Sequence, residues 1–202
     1  MAICYIVGAA PHCDPLFPEE GDLVIAADGG QEALRRMGIT PHLVVGDFDS
    51  SSAPDVAVRY PKEKDDTDTA LAILLGEERG YHTFALYGCT GGRPDHSFGA
   101  VQTMLGAAKR GDRVYLVGEG MIGTVLCNES FTFNGNGYVS VFSLSERSRD
   151  VTLTGLKYPL KDAVLTNDYP LGVSNEGHGR VTVSVASGAL YLLWEGELFP
   201  KG

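Results

Sequence analysis

Asp47 and Asp49 form an acidic pair that follows an apolar segment, "HLVV", typical of a buried strand. In an extended chain, side chains two residues apart point to the same side and lie about 6 to 7 Å apart. Two carboxylates at that spacing repel each other unless a cation lies between them. The pattern therefore indicates a cation site, with a polar turn leading into the following serines as the alternative.

Polar, glycine-containing segments follow the other predicted strands of this half of the chain. They include "AADGG", which contains Asp28, and "YGCTGGRPDH", which contains Arg93 and Asp95, while a predicted helix begins in "KEKDDTDTA". In an open parallel sheet, ligands bind beyond the carboxyl ends of the strands, where the strand order reverses. We therefore expect one edge of the sheet to collect up to seven carboxylates: Asp28, Asp47, Asp49, Asp65, Asp66, Asp68 and Asp95.

This collection of carboxylates favours metal-dependent chemistry on a phosphorylated substrate. Magnesium takes one or two carboxylates directly and completes its shell with waters and substrate phosphates. Lys64, beside the acids, and Arg93, in a glycine-rich loop before a helix, supply positive charge for the phosphates. Simpler interpretations exist, since Arg93 can form a surface ion pair and His96 fits a first helical turn better than a base. Four residues could cap a helix and have no role at a metal and phosphate site: Asp28, Asp65, Asp66 and Thr67.

The first half of the chain alternates strand and helix patterns. Apolar segments predict strands at 3–8, 23–28, 42–47, 83–88 and 113–118. The spacing of apolar residues predicts helices over 31–38, 67–80 and 95–111, each ending on a glycine, the usual left-handed stop. Such alternation is typical of a mostly parallel sheet with right-handed crossovers. We expect residues 1–122 to form a Rossmann-like α/β nucleotide-binding domain.

After about Leu126 the pattern changes to short segments rich in Val, Thr, Phe and Tyr. Strands are predicted at 130–133, 138–145, 151–156, 163–166, 180–188 and 189–194. The stretch "SVASGALYL" predicts a hairpin that turns at Ser187 and Gly188. Such segments are typical of an antiparallel sandwich or barrel. We expect a domain boundary near 119–128 and an antiparallel β-sandwich over residues 123–202.

Composition narrows the choice of partners. The 202 residues include 26 Asp and Glu against 16 Lys and Arg, a formal net charge of −10. This charge argues against nucleic acid as a partner, because nucleic-acid affinity depends on many Lys and Arg contacts. No apolar run is long enough to cross a membrane, and the start lacks the basic residues of a signal peptide. The four cysteines are scattered, so we expect reduced thiols and a cytoplasmic location.

Six motifs occur in a fixed order: "ADGG", "GDFDS", "KEKDDTDTALA", "GCTGGRPDH", "GLKYPL" and "GVSNE". This ordered set resembles the thiamine pyrophosphokinase family over most of the chain. The resemblance implies a Mg²⁺-dependent enzyme that transfers the pyrophosphoryl group of ATP to the hydroxyl of thiamine, giving thiamine diphosphate and AMP. It also implies an α/β domain followed by a β-sandwich, and a homodimer. Thiamine would bind where the α/β domain of one subunit meets the sandwich of the other.

The resemblance also assigns roles to individual residues. Asp47, Asp49 and Asp68 would surround the metal and the transferring phosphates as catalytic residues. Of these, Asp49 and Asp68 are the better candidates to accept the proton of the thiamine hydroxyl. The residues expected to line the nucleotide and phosphate pocket are Asp28, Lys64, Asp65, Thr67, Arg93 and Asp95. The residues expected to meet thiamine are Ser174, Asn175, Glu176 and Trp194.

Alternatives stand beside some of these assignments. Trp194 could contact the thiamine cation through its ring, worth about 0.5 to 2 kcal/mol, or could be a core residue. Glu176 could face thiamine, or "SNEGHG" could be a loop between two strands. A nucleotide-sugar transferase would also place a metal on two aspartates after a strand, but it gives no role to "KDDTD". A nucleotide or thiamine sensor would bind without reaction and would gain little from so many carboxylates.

Overall fold

A computed structural model of the chain describes residues 2–46, 57–59, 67–196 and 198, with the backbone alone at 57–59. The chain divides into two compact units. The first unit consists of Met1–Thr103 and Arg110–Glu119, and the second of Met104–Lys109 and Gly120–Gly202. Within the described residues, no helix is both long and apolar enough to span a bilayer.

The first unit contains a parallel sheet. Its strands are β1 (Cys4–Val7), β2 (Leu23–Ala27), β3 (Leu43–Gly46), β4 (Ala57–Arg59), β5 (Thr83–Tyr87) and β6 (Arg113–Gly118). They lie in the order β6-β5-β1-β2-β3-β4. Strands β1, β2 and β5 are buried at every residue, as expected for a parallel sheet covered on both faces. The chain adds strands on one side of β1 and then on the other, so the strand order reverses between β1 and β5.

Three helices connect strands of this parallel sheet in the described part of the chain. They are α1 (Gly30–Met37), α2 (Asp68–Glu77) and α3 (Pro94–Arg110). Gly38 ends α1 in the left-handed conformation, with φ at 72°, and its N–H donates to the carbonyl of Arg35. Proline opens α3, where its missing N–H has no helical partner to lose. The predicted helices and the five predicted strands of this half are confirmed to within a few residues.

The connection between β1 and β2 contains no helix or strand over residues 8–22. Asp22 fixes its end, because its carboxylate accepts hydrogen bonds from the backbone N–H groups of Ile3 (2.8 Å) and Glu19 (2.9 Å). The three-residue β4, which the sequence analysis did not predict, pairs with β3. Its residues are recognisable as a strand only through that pairing, because a run this short carries no clear period.

The second unit is antiparallel. Its strands are β7 (Met121–Cys127), β8 (Ser130–Ser143), β9 (Arg147–Leu156), β10 (Leu160–Thr166), β11 (Gly172–Ser184) and β12 (Ala189–Glu195). They lie in the order β10-β9-β11-β8-β12-β7. Strands β9 and β11 mix buried with more exposed residues, and Val151, Leu153, Val181 and Val183 are at most 1% exposed. The molecule is thus a mixed α/β protein in which strands predominate.

Three details of this unit differ from the sequence analysis. The predicted hairpin at Ser187 and Gly188 is wrong, because β11 and β12 pair with opposite sides of β8. The turn at Ser187 and Gly188 is instead bonded to two other segments. Arg149 N–H donates to Ser187 O (2.8 Å), and Gly188 N–H donates to Asn128 Oδ1 (2.8 Å). Strand β7 was not predicted, because its residues fell in the expected boundary. The loop interpretation of 174–179 is also wrong, since these residues lie in β11.

Candidate functional site

A cavity of about 990 Å³ lies in the first unit, at the carboxyl ends of β1, β2 and β5. Its walls are residues 8–11 after β1, 27–28 at the end of β2, and 88–93 after β5. The remaining lining residues come from the beginning of α2 and the first turns of α3, namely 67–69, 95–97, 99 and 100. This is the edge at which the strand order reverses, the usual position of a ligand site in an open parallel sheet.

Glycines allow the backbone segments around the cavity to approach one another closely. A Cβ atom at Gly8 would lie 2.6 Å from the carbonyl oxygen of Gly88, and one at Gly30 would lie 1.8 Å from that of Val7. No side chain fits at either distance. The close approach of α1 to β1, and of the two loops that follow β1 and β5, therefore depends on glycine at these positions.

Asp28 lines the cavity in an unusual backbone conformation, with φ at 52°. Its backbone N–H donates to the carbonyl of Val45 (2.8 Å), and its side chain is exposed. The cap position of α1 belongs to Gly29 and has no side-chain hydrogen bond, so the interpretation of Asp28 as a helix cap is wrong. Left-handed aspartates of this kind cost free energy and often occur at functional sites.

The beginning of α2 places two more predicted residues at the cavity. Thr67 caps the helix, because its hydroxyl accepts a hydrogen bond from the N–H of Ala70 (3.2 Å). Asp68 follows in the first turn and is half-buried. The N–H groups at the beginning of a helix carry partial positive charge, so anionic ligands are favoured here.

Arg93 and Asp95 form an ion pair at the cavity. Arg93 Nε donates to Asp95 Oδ1 (3.2 Å) and Nη2 donates to Oδ2 (2.5 Å). The Arg93 guanidinium holds the pKa of the Asp95 carboxyl below its ordinary value. Both side chains are exposed, so the surface ion pair is confirmed at a position that also lines the cavity. Among the cavity-lining residues that the structure describes, Arg93 is the sole Lys or Arg.

The remaining residues predicted at this edge lie outside the described part of the chain. They are Asp47, Asp49, Lys64, Asp65 and Asp66. Strand β3 ends at Gly46, where a Cβ atom would lie 3.7 Å from the Cα of Asp28. The chain therefore enters the segment that contains Asp47 and Asp49 directly beside a cavity-lining residue.

The described carboxylates of the cavity suit a hard divalent cation. No group of three or more His, Cys, Asp or Glu arranged to hold a metal occurs within residues 2–46 and 67–196. Asp28 and Asp68 nevertheless supply two carboxylates to one cavity. Magnesium needs only one or two carboxylates when substrate phosphates and waters complete its shell. These donors therefore fit Mg²⁺.

Thr69 and Cys89 also line the cavity, although neither was predicted as a site residue from the sequence. The Cys89 thiol donates to the carbonyl of Tyr87 (3.4 Å), and Thr69 Oγ1 lies 4.0 Å from Cys89 Sγ. Burial raises the pKa of the Cys89 thiol to about 11, so it stays protonated at neutral pH. Cys89 is therefore part of the wall rather than a nucleophile. The sequence signal that could have identified Cys89 is its position directly after a predicted strand.

In the second unit, Ser174, Asn175 and Glu176 are consecutive residues of β11. Asn175 is 6% exposed, and its Oδ1 accepts from the N–H groups of Tyr158 (3.0 Å) and Glu176 (2.9 Å). Its Nδ2 donates to the carbonyl of Tyr158 (2.7 Å). Asn175 thus joins β11 to the turn that follows β9, with one amide hydrogen left for another partner.

Glu176 and Ser174 are more accessible than Asn175. Lys157 Nζ lies 2.8 Å from Glu176 Oε1 and holds the pKa of the Glu176 carboxyl below its ordinary value. Ser174 has φ at 55°, and its N–H donates to Ser140 Oγ (3.0 Å). Both side chains can reach solvent and therefore a ligand.

Trp194 belongs to the core of the second unit. It is 6% exposed, and its ring centroid lies 4.8 Å from that of Phe133 and 6.0 Å from that of Phe131. In the sheet register, Asn175 and Trp194 lie on either side of Val139, so the three form one buried row. The core interpretation of Trp194 is confirmed, and its contact with thiamine stays a prediction.

Two family models match the chain. Residues 16–116 match the thiamin pyrophosphokinase catalytic domain, and residues 127–190 match the thiamin pyrophosphokinase vitamin B1 binding domain. The chain belongs to the thiamine pyrophosphokinase family. A thiamine pyrophosphokinase of Bacillus subtilis (strain 168) is 32% identical over 191 residues, which cover 88% of this chain and 89% of the relative.

Solved structures of the same family are also similar. A thiamine pyrophosphokinase from Bacillus subtilis has a TM-score of 0.87 at 29% identity, covering 98% of this chain and 100% of that one. One from Geobacillus thermodenitrificans has a TM-score of 0.83 at 31% identity, covering 98% and 99%. The members of this family are enzymes whose activity is the transfer of a pyrophosphoryl group from ATP to thiamine.

Proposed function

We propose that this chain transfers the pyrophosphoryl group of ATP to the hydroxyl of thiamine, giving thiamine diphosphate and AMP, with Mg²⁺ as cofactor. The observation that carries the proposal is the cavity at the strand-order reversal, lined by acids from separate elements together with Arg93. A site of this composition suits a metal-bound polyphosphate. Membership of the family supplies the identity of the two substrates.

We assign ATP binding and catalysis to one half of the chain and thiamine binding to the other. Residues 1–122 form a Rossmann-like, ATP-binding catalytic domain, and residues 123–202 form a β-sandwich that binds thiamine. The reversal of parallel strand order beside β1 supports the first assignment. The match of residues 127–190 to a vitamin B1 binding domain supports the second.

ATP binds with its phosphates toward the beginnings of α2 and α3. The N–H groups of these first turns favour anions, and Arg93 adds a guanidinium that can contact phosphate oxygens. Its ion pair with Asp95 orients the guanidinium before the nucleotide arrives. Asp28 and Thr67 line the same pocket, and Lys64 and Asp65 complete it.

Asp47, Asp49 and Asp68 are the catalytic carboxylates. These three residues would hold Mg²⁺, with ATP phosphates and water completing its shell. When bound, this ion neutralises phosphate charge and so reduces repulsion of the incoming oxygen. Asp49 or Asp68 accepts the proton of the thiamine hydroxyl as that oxygen attacks. Positioning of the hydroxyl in line with the leaving AMP accounts for much of the acceleration.

Thiamine binds to the second unit through Ser174, Asn175, Glu176 and Trp194. The Glu176 carboxylate suits the positive charge of thiamine, and Ser174 offers a hydroxyl on an exposed part of β11. Trp194 and Asn175 belong to the buried row beneath that surface, which supports it. Their contribution is therefore mainly to fix the shape of the site.

We infer that the enzyme is a homodimer that works in the cytoplasm. The second unit exposes several large apolar side chains, each at least half exposed: Tyr138, Tyr158, Tyr169, Leu171 and Val173. Exposed apolar groups of this size are typical of interaction surfaces. The four cysteines are free thiols, which suits a reducing compartment.

The direct test is to mix the protein with ATP, thiamine and MgCl₂ and to measure AMP and thiamine diphosphate by chromatography. We expect equimolar products, and none when EDTA replaces MgCl₂ or when thiamine is omitted. Asp47→Asn and Asp49→Asn should each reduce turnover by at least about 100-fold without unfolding the protein. Ligand-induced stabilisation without AMP would contradict the proposal.

A further inference from the structure

A second cluster of charged side chains lies at the amino ends of β5 and β6, the edge of the sheet away from the cavity. It consists of the last residue of α2, the last residue of α3, and the residues that precede β5 and β6: Glu77, Arg110, His82 and Asp112. The side chain of Asp112 is only 3% exposed. Its Oδ1 lies 2.8 Å from His82 Nδ1, which donates the hydrogen bond when Nδ1 carries a proton.

The second carboxylate oxygen of Asp112 is the unusual feature of this cluster. Oδ2 is buried and has no hydrogen-bond donor among the described residues. A buried acceptor without a donor costs about 1 to 3 kcal/mol, and more when it carries charge. Native structures rarely keep such an atom without a compensating proton, water or ion.

Glu77 is the neighbour that can supply a donor. Its Oε1 accepts from both Arg110 Nε (3.0 Å) and Arg110 Nη2 (2.6 Å). Burial raises the pKa of Glu77, Arg110 opposes that shift, and a side-chain hydrogen bond with Asp112 raises the pKa further. Two carboxyl groups can hydrogen-bond to each other only when one of them carries a proton.

We propose that Glu77 and Asp112 share one proton in the folded protein, forming a proton-binding site at the far edge of the parallel sheet. The proton belongs to the pair rather than to either residue. With it, the pair has a single negative charge, which Arg110 balances. Without the proton, the two carboxylates carry two negative charges against the single guanidinium of Arg110, and Asp112 Oδ2 stays buried without a donor.

This site connects the ends of two helices whose other ends line the cavity. Helix α2 begins at Asp68 and ends at Glu77, while α3 begins at Pro94 and ends at Arg110. The Glu77–Arg110 ion pair and the shared proton therefore hold the far ends of both helices together. The proposal does not depend on the ligand of the cavity.

The shared proton predicts the direction of a pH effect on stability. A carboxyl group whose pKa is raised in the folded state stabilises that state below its unfolded pKa, and this contribution disappears as the pH rises through the folded pKa. The charged groups that act on the Glu77 carboxyl are Arg110 from α3 and Asp112 before β6, with His82 reaching it through Asp112. Arg113 follows Asp112, and Glu78 and Arg79 follow Glu77 in the chain.

Glu77→Gln is the decisive variant, because glutamine imitates the protonated acid. Its amide can donate to Asp112 Oδ2 while its oxygen still accepts from Arg110. We expect the melting temperature of the variant to equal that of the wild type near pH 4.5 and to exceed it by about 2 to 4 °C at pH 8. Thermal unfolding at a series of pH values measures this difference.

Glu32→Gln is the matched control. Glu32 pairs with Arg35 on the surface of α1, and that pair lowers its pKa, so its removal should not stabilise the protein at pH 8. His82→Asn retains an amide donor to Asp112 and removes the imidazole titration. Its stability should keep the pH trend of the wild type.

A second measurement uses the wild type alone. Carbon-13 NMR of the side-chain carboxyl groups should show one proton on the Glu77–Asp112 pair at pH values where exposed glutamates are ionised. The proposal is overturned if both carboxyls are ionised there. It is also overturned if Glu77→Gln is no more stable than the wild type at pH 8, or if His82→Asn abolishes the pH trend.

Discussion

Replacing Asn175 by alanine should destabilise the second unit far more than its position in a predicted ligand site suggests. The substitution removes three hydrogen bonds, two to Tyr158 and one to the N–H of Glu176. Each bond contributes about 0.5 to 1.5 kcal/mol to the free energy of unfolding. Water can reach the exposed turn at Tyr158, but it cannot reach the amide of Asn175, which is 6% exposed. The expected loss in the free energy of unfolding is about 3 kcal/mol.

Urea unfolding followed by tryptophan fluorescence measures this loss. Trp194 is the sole tryptophan of the chain and lies in the same buried row as Asn175, so its emission reports on this unit. A loss of about 3 kcal/mol lowers the midpoint by about 1 to 3 M urea.

Asn136→Ala is the matched control, because Asn136 is exposed and its side chain accepts one hydrogen bond, from Gly179 N–H (3.0 Å). It should cost about 1 kcal/mol or less. If Asn175→Ala costs no more than this control, the structural role assigned to Asn175 is refuted. A weakened affinity for thiamine with unchanged stability would refute it equally.

Three further predictions concern charged residues. Asp68→Asn should lower kcat for thiamine diphosphate formation by at least about 100-fold, with an unchanged melting temperature, because it removes a proposed metal ligand. Arg93→Lys should raise KM for ATP by about 10-fold, because lysine cannot make the bidentate contact, whereas Arg35→Lys on the surface of α1 should leave steady-state kinetics unchanged. Lys157→Met should raise the pKa of Glu176 in an NMR titration. The ion pair supports the fold above the ordinary glutamate pKa, and its contribution disappears as the pH falls through the lowered value. An unshifted titration would contradict that account.

The candidate site was predictable in part, because its residues follow strand ends. Asp28, Asp68, Arg93 and Asp95 come from three places in the chain and line one cavity. The expectation required only that parallel strands present their carboxyl ends at one edge. The ion pair between Arg93 and Asp95 could not be predicted from the sequence, because side chains two residues apart at the start of a helix need not face each other.

In the second unit the sequence was less informative. Periodicity identifies a strand but not its partner, so β11 and β12 were assigned to each other although both pair with β8. Likewise, Asn175 was recognised by its motif, while its hydrogen bonds to Tyr158 arise from a contact between β11 and the turn that follows β9.

The sequence by itself determined the elements of the first unit, apart from β4, and the family of the chain. Apolar runs specify buried strands, glycines specify helix ends, and an ordered set of motifs specifies the chemistry, because each of these signals is local. Only the tertiary structure decided the strand pairing, the burial of Trp194 and the ion pair of Glu77 with Arg110. Those features depend on which distant segments exclude water from one another, and that is a property of the packed chain rather than of any short stretch of it.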